Sequence, residues 1–255
     1  MEDIVPGLLE VINQQFDDKT FNSKKLKYAL KALQNKQATY KDANDFAIEI
    51  GKILVDVLNI NITSENLPDG KMYFNIANRI LNPTLQKNHE LITSYVNDVQ
   101  TELNHSANLR LKSQTPELNQ DRIDGIINRI SSEDSFEDIA WILEDPIINF
   151  SQSIVDDAIK ENADFHSKVG LRPKITRTVS GHQPCEWCID LAGTYDYNEA
   201  PKDIYRRHDR CRCTVEYSPG EGKKQNVWTK ERRDPQKEEK IQVRKNLNIK
   251  KGKEK

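Results

Sequence analysis

The sequence predicts a mainly α-helical protein with a multi-helix N-terminal body, a small C-terminal α+β module and a basic, flexible tail. Leu and Ile recur at helical spacing through the first two-thirds of the 255 residues. Near residue 170 this pattern gives way to short alternating segments, which are typical of strands. All four cysteines lie beyond that point, within 29 residues of one another.

Helices are predicted where apolar residues repeat every three or four positions. The clearest segment is 40–59, where a stripe from Ala43 to Leu58 would face a core. Asn22 or Ser23 could cap the second helix. Pro83 is expected to separate two helices, because its missing N–H is tolerated in a first turn. The predicted helices are 6–16, 23–34, 40–59, 72–81, 84–104, 121–130, 132–143 and 147–165.

Short strands are predicted at 174–180, 194–197 and 213–217. Gly, Pro and every cysteine lie between or beside these segments, so we expect a boundary near 168–172. The expected domains are a helical domain at 1–169, a Cys/His module at 170–219 and a basic tail at 220–255.

The net charge of -2 hides an asymmetry along the chain. Residues 220–255 contain 13 Lys and Arg against 6 Asp and Glu, which gives the tail +7 and leaves -9 on the rest. Such a tail could meet an anionic partner or could simply be a solvated terminus.

The N-terminus is acidic and has no basic segment followed by a long apolar stretch, as a secretory signal would. No apolar run approaches the ~20 residues that a membrane span needs. We therefore expect the protein to stay in the compartment where it is made, without a membrane partner. In a reducing compartment, clustered cysteines favour a metal over disulfides.

Two short motifs place five candidate ligands for a zinc ion in the C-terminal module. Cys185 and Cys188 form a Cys-x-x-Cys turn, which presents two thiolates to one ion. His208, Cys211 and Cys213 follow as His-x-x-Cys-x-Cys. The spacing predicts a small zinc-knuckle-like module with a structural Zn²⁺. The alternatives are disulfides or buried free thiols.

Five candidates compete for four tetrahedral positions. Cys211 and Cys213 are expected to point to opposite faces of an extended segment unless a bulge intervenes. The preferred ligands are therefore Cys185, Cys188, His208 and Cys211. Cys213 is then buried or replaces His208, and His182 is a weaker candidate. A site closed by four protein ligands is structural, because it leaves no position for a catalytic water.

Four arginines flank the second motif: Arg206, Arg207, Arg210 and Arg212. They could contact the phosphates of a nucleic acid or a protein partner. Alternatively, they could pair with acidic residues of the same module, such as Glu186, Asp190 or Asp209. The sequence does not distinguish the two interpretations.

An enzymatic site is the weaker hypothesis. His182 and His208 are the histidines near the cysteine cluster, and no His-Asn-His-like set or paired acidic motif accompanies them. No Gly-rich phosphate loop, nucleophile elbow or kinase signature is present. We therefore predict no enzymatic activity and no small-molecule substrate.

The order of motifs over residues 175–217 is distinctive. The matching runs are Cys185-x-x-Cys188, Leu191-Ala192-Gly193-Thr194-Tyr195 and Arg207-His208-x-x-Cys211-Arg212-Cys213-Thr214. This order resembles the phage minor head proteins, also called head-morphogenesis or Mu F-like proteins. Residues 75–85 (NIANRILNPTL) are similar to the helical part of such proteins in phages of low-GC Gram-positive bacteria.

The resemblance implies a minor capsid protein with a structural role in head morphogenesis. It would be made in the host cytoplasm and located in the virion, at the capsid interior and portal region. Its partners would be the portal and major capsid proteins. The alternative functions are a zinc-containing nucleic-acid-binding protein and, less favoured, a metal-dependent nuclease.

Overall fold

Helices account for most of the chain before residue 170, as predicted. The computed structural model describes residues 3–180, 185–208 and 210–220, so the predicted tail at 220–255, apart from its first residue, and the candidate His182 lie outside the described residues. The helices are α1 (Val5–Asn22), α2 (Lys24–Gln34), α3 (Tyr40–Asn61), α4 (Phe74–Ser106), α5 (Gln120–Ile130), α6 (Phe136–Ile139) and α7 (Asp145–Lys168). Short 3-10 turns are formed by Pro68–Gly70 and Ala140–Leu143.

Side-chain caps define the starts of α2 and α3. The Ser23 hydroxyl accepts a hydrogen bond from the backbone N–H of Leu26, which confirms Ser23 as the cap of α2. Thr39 and Asp42 form a capping box at α3, in which each side chain accepts a hydrogen bond from the other residue's backbone N–H. Local sequence therefore fixes where both helices begin.

Pro83 lies inside a continuous helix, so the prediction that it separates two helices is wrong. Helix α4 runs without interruption from Phe74 to Ser106. A proline in a helix interior removes one backbone hydrogen bond and costs about 3 kcal/mol. Here α4 packs against α1, α3, α5 and α7, and that burial outweighs the local cost.

Helices α3 and α7 cross closely at the centre of the body. Gly51 of α3 has no side chain, and a Cβ placed there would lie 2.8 Å from the Ser151 hydroxyl and 3.1 Å from the Ile148 Cα of α7. Glycine therefore allows the two backbones to approach. This packing fixes the position of α7, which carries the polar side chains that hold the C-terminal module.

The C-terminal module is a three-stranded antiparallel sheet with one short helix. Its elements are β1 (Lys174–Thr178), α8 (Glu186–Asp190), β2 (Gly193–Asp196) and β3 (Thr214–Ser218), with a 3-10 turn at Tyr197–Glu199. Strand β1 is central, in the order β2–β1–β3. Ile175 lies opposite Tyr195 on one side and Tyr217 on the other. The predicted mainly helical fold with a small C-terminal α+β module is confirmed.

The sheet shares its core with the helical body. Ile175, Val215 and Tyr217 are buried in the same apolar cluster as the helices, and residues up to Gly220 form one compact unit. The Tyr217 ring packs edge-on against Tyr40 of α3, with centroids 6.3 Å apart. The boundary expected near residue 170 is therefore a change of secondary structure within one core.

No helix among the described residues combines the length and apolar character that crossing a bilayer requires.

Candidate metal centre

The first two thiols are positioned by the start of α8. Cys185 is the N-cap of this helix, and its Sγ accepts a hydrogen bond from the backbone N–H of Cys188 at 3.3 Å. The Cys185 side chain is exposed, whereas Cys188 is buried. The Cys-x-x-Cys turn therefore aims both sulphurs to the same side of the module.

His208 brings an imidazole to these two thiols. Its Nε2 lies 3.2 Å from the Cys185 Sγ and 3.0 Å from the Cys188 Sγ. The backbone carbonyl of His208 accepts a hydrogen bond from the Asn149 side chain of α7 at 3.2 Å. The edge of the Trp187 ring packs on the imidazole, with centroids 6.0 Å apart. Three predicted ligands thus converge at one point.

Cys211 and Cys213 both turn toward Cys188. The sulphurs of these three buried residues lie within 4.8 Å of one another. The expectation that Cys211 and Cys213 point to opposite faces is wrong, because the ladder of β3 starts only at Thr214. Before it, Arg210 adopts a left-handed backbone (φ 58°), and the chain turns at this point.

The structure brings the five predicted ligands into two overlapping groups of three, which share Cys188. Cys185, Cys188 and His208 form one group, and Cys188, Cys211 and Cys213 form the other. All four cysteines are free thiols without a disulfide. Thiolate and imidazole donors suit borderline-soft divalent ions. The cluster could therefore hold a metal ion.

Arg177 of β1 is a member of the centre that sequence reasoning missed. Its side chain is among the largest fully buried ones of the described residues. One terminal nitrogen lies 3.7 Å from the Cys188 Sγ and 3.8 Å from the Cys211 Sγ. The guanidinium also lies over the Trp187 ring, 5.3 Å from its centroid. No motif spacing links position 177 to the cysteines. The sequence placed Arg177 only within the strand predicted at 174–180.

The pKa values of the three buried cysteines are shifted in different directions. Burial raises the pKa of Cys188, although Cys213 and Arg177 oppose this shift. A hydrogen bond with Cys213 lowers the pKa of Cys211, and the guanidiniums of Arg207 and Arg177 lower it further. The same hydrogen bond raises the pKa of Cys213. Cys211 is therefore the preferred site of the first negative charge in this pair.

Arg207 is not available to a nucleic acid or another protein, which corrects that expectation. Its guanidinium forms two hydrogen bonds with the Asp156 carboxylate of α7, at 2.5 and 2.8 Å. Both side chains are buried, and Arg207 also donates to the backbone carbonyl of Cys213 at 2.7 Å. Arg207 thus fastens the ligand loop to the helical body.

The other three arginines lie nearer the surface, and each pairs with a carboxylate among the described residues. Arg210 and Arg212 both pair with Asp145, at 3.2 and 2.7 Å. Exposed Arg206 pairs with Asp203 at 3.2 Å. Contact with a partner through these three side chains stays a prediction.

One face of α7 carries most of these attachments. Asp145, Asn149 and Asp156 follow helical spacing and reach the loop that runs from Arg207 to Arg212. Further along the same helix, buried His166 hydrogen-bonds through Nδ1 with the Tyr217 hydroxyl of β3. The ligand loop and the sheet are therefore both held by α7.

No family model, curated protein or solved structure matches this chain. The functional argument consequently depends on the motifs and on the geometry of the centre.

Each of the two groups could supply three of the four ligands of a tetrahedral ion, and Cys188 belongs to both groups. The donors come from the start of α8 and from the loop before β3, which are distant in sequence. An ion bound here would cross-link these two segments.

Proposed function

We propose that the chain is a phage minor head protein that acts through protein contacts, and that one structural zinc ion closes its C-terminal module. The observation that carries the proposal is that both motifs, Cys-x-x-Cys and His-x-x-Cys-Arg-Cys, place their ligand atoms around the buried Cys188. The same motif order produced the resemblance to head-morphogenesis proteins.

The residues present fit a structural zinc ion. Cys185, Cys188 and His208 would supply three ligands, and Cys211 or Cys213 the fourth. The bound ion supplies folding free energy, because the ligands are brought together only in the folded chain. A three-stranded sheet with one helix of five residues has little core of its own, and such small modules commonly depend on a metal.

The module would then serve as a rigid surface for docking. The partners that the resemblance implies are the portal and major capsid proteins, with packaged DNA as a further contact of the basic tail at 220–255. A DNA-binding role for the ligand loop itself has less support, because three of its four arginines are occupied by Asp145 and Asp156.

The test uses phage particles assembled from the genome that encodes this chain. Mass spectrometry of purified particles should detect the protein at few copies, and cross-linking should join it to the portal protein. Its absence from particles in which the portal protein is readily detected would overturn the proposal.

Variants connect the metal centre to this role. Cys188→Ser removes the thiol that both triads share, and it should reduce incorporation of the protein into particles. Lys202→Ala changes an exposed side chain of the same module and should leave incorporation unchanged. Equal incorporation of the two variants would show that the centre is not needed for assembly.

A further inference from the structure

Arg177 lies buried against the thiol cluster, and within the described ranges no carboxylate pairs with it. Its polar contacts among the described residues are the backbone carbonyls of Ile204 and Arg206 and the sulphurs of Cys188 and Cys211. No carboxylate within salt-bridge distance of its guanidinium occurs in the described part of the chain.

A buried guanidinium stays protonated, so its charge needs an anion nearby. Removal of a charge from water costs several kcal/mol unless an opposite charge compensates for it. Carbonyl oxygens contribute partial charges only, and the Trp187 ring contributes a weaker cation–π attraction. Among the residues that the structure describes, the remaining source of a full negative charge beside Arg177 is the sulphur cluster.

The neighbouring buried arginine shows the contrast. Arg207 is equally enclosed, but Asp156 supplies its counter-charge through two hydrogen bonds. Arg177 makes its corresponding contacts with two thiol sulphurs, at 3.7 and 3.8 Å. Charged N–H groups at such distances are suitable donors to thiolates, and weaker ones to neutral thiols.

The charge of the loaded site follows from its ligands. A divalent ion with two thiolates is neutral, whereas three thiolates and a neutral imidazole give a net charge of -1. One guanidinium balances one such charge. The same terminal nitrogen of Arg177 lies near the sulphurs of Cys188 and Cys211. This contact favours these two cysteines as thiolate ligands.

We infer that Arg177 is a positioning residue of the metal centre, and that it supplies the counter-charge of a site with three thiolates and one imidazole. The ligands would be Cys185, Cys188, Cys211 and His208, with Cys213 outside the coordination sphere. This inference rests on the proposed function only through the presence of a divalent ion.

The test compares two variants of the full chain that differ in charge. Arg177→Lys and Arg177→Met both remove the planar guanidinium and have unbranched side chains, but only lysine keeps the positive charge. Zinc affinity is measured by competition with a chelator. We expect the Met variant to bind zinc about 10- to 100-fold more weakly than the wild type, with the Lys variant in between. Equal affinities of the Lys and Met variants would overturn the inference.

A control separates charge from packing. Ile175→Val shortens another fully buried side chain of β1, which lies outside the sulphur cluster. It should lower the urea midpoint of unfolding slightly, because a buried methyl group is lost, and leave zinc affinity within about twofold of the wild type, well below the loss expected for Arg177→Met. A loss of affinity in Ile175→Val as large as in Arg177→Met would assign the effect to packing and overturn the inference.

A second measurement needs no variant at position 177. Cobalt(II) bound to the wild-type protein reports the number of thiolate ligands through its sulphur-to-metal absorption. We expect three thiolates, and Cys213→Ser should leave this absorption unchanged. A count of two thiolates, or a loss of absorption in Cys213→Ser, would overturn the inference about Arg177. Either result would still be compatible with a zinc site in the protein. A wild type that binds neither metal would overturn both.

Discussion

Arg207 and Asp156 form a buried ion pair that joins the ligand loop to α7. The guanidinium makes two hydrogen bonds with the carboxylate, at 2.5 and 2.8 Å, and the side chains are 5% and 2% exposed. Because both charges are removed from water, each depends on the other for compensation. The pair therefore holds the segment that contains His208, Cys211 and Cys213 in place.

Removal of one partner should destabilise the protein strongly. Asp156→Ala leaves the Arg207 charge buried and uncompensated, so the free energy of unfolding should fall by about 3–5 kcal/mol. Urea denaturation followed by helical circular dichroism measures this change. Arg206→Ala is the matched control, because Arg206 is exposed and pairs with Asp203 at the surface. The control should change stability by no more than about 0.5 kcal/mol, and a similar loss in both variants would contradict the assignment.

The sequence was informative wherever one element depends on its own residues. The apolar stripe over 40–59 predicted α3, which spans Tyr40–Asn61, because helical periodicity is a local property. The prediction that Pro83 separates two helices was wrong because it used local sequence alone. The effect of Pro83 on α4 is decided by tertiary packing, which a local breaker rule does not contain.

The same distinction holds for the candidate centre. Spacing identified all five metal-ligand candidates, because the turns that present them are short. It gave no sign of Asp156 as the partner of Arg207, since these residues are 51 positions apart. Arg177 was missed likewise, because its role depends on how the sheet and α8 pack together.

The close crossing of α3 and α7 gives a second prediction. Gly51→Ala would place a Cβ 2.8 Å from the Ser151 hydroxyl and 3.1 Å from a backbone atom of α7, so the helices must separate. Overpacking of this kind costs about 1–3 kcal/mol. The melting temperature should fall, and because α7 carries the attachments of the ligand loop, zinc affinity should fall too.

Gly125→Ala provides the control for Gly51→Ala. Gly125 lies within α5, and a Cβ there meets nothing within 4 Å. Alanine should therefore stabilise the helix by about 0.5–1 kcal/mol relative to glycine. If both variants stabilise the protein, the backbones of α3 and α7 do not meet at Gly51.

Buried His166 makes stability depend on pH. Burial lowers its pKa below the ordinary value of 6.5, so the folded protein keeps the ring neutral. The unfolded chain takes up a proton below about pH 6.5, which favours unfolding. Stability is therefore unaffected by this group above that pH and falls as the pH decreases, by at most about 1.4 kcal/mol per pH unit. Below the lowered folded-state pKa the loss levels off.

Urea denaturation between pH 5 and pH 8 measures this slope. His166→Asn retains a polar group near the Tyr217 hydroxyl and should flatten the acid side of the profile. Burial also lowers the pKa of His89, so some slope should remain. An unchanged profile in His166→Asn would refute the prediction.

Removal of the metal should loosen the ligand loop and spare the helices. Protein purified under reducing conditions should contain about one zinc ion per chain, given one four-ligand site. A chelator should change helical circular dichroism little, because helices α1 to α7 end at Lys168, before the ligand segments, and contribute most of the buried core. Trypsin should then cleave rapidly after Arg206 or Arg210, while cleavage within α2 stays slow. Cys188→Ser should show the same cleavage without a chelator, whereas reduced protein without zinc by elemental analysis would exclude the metal centre.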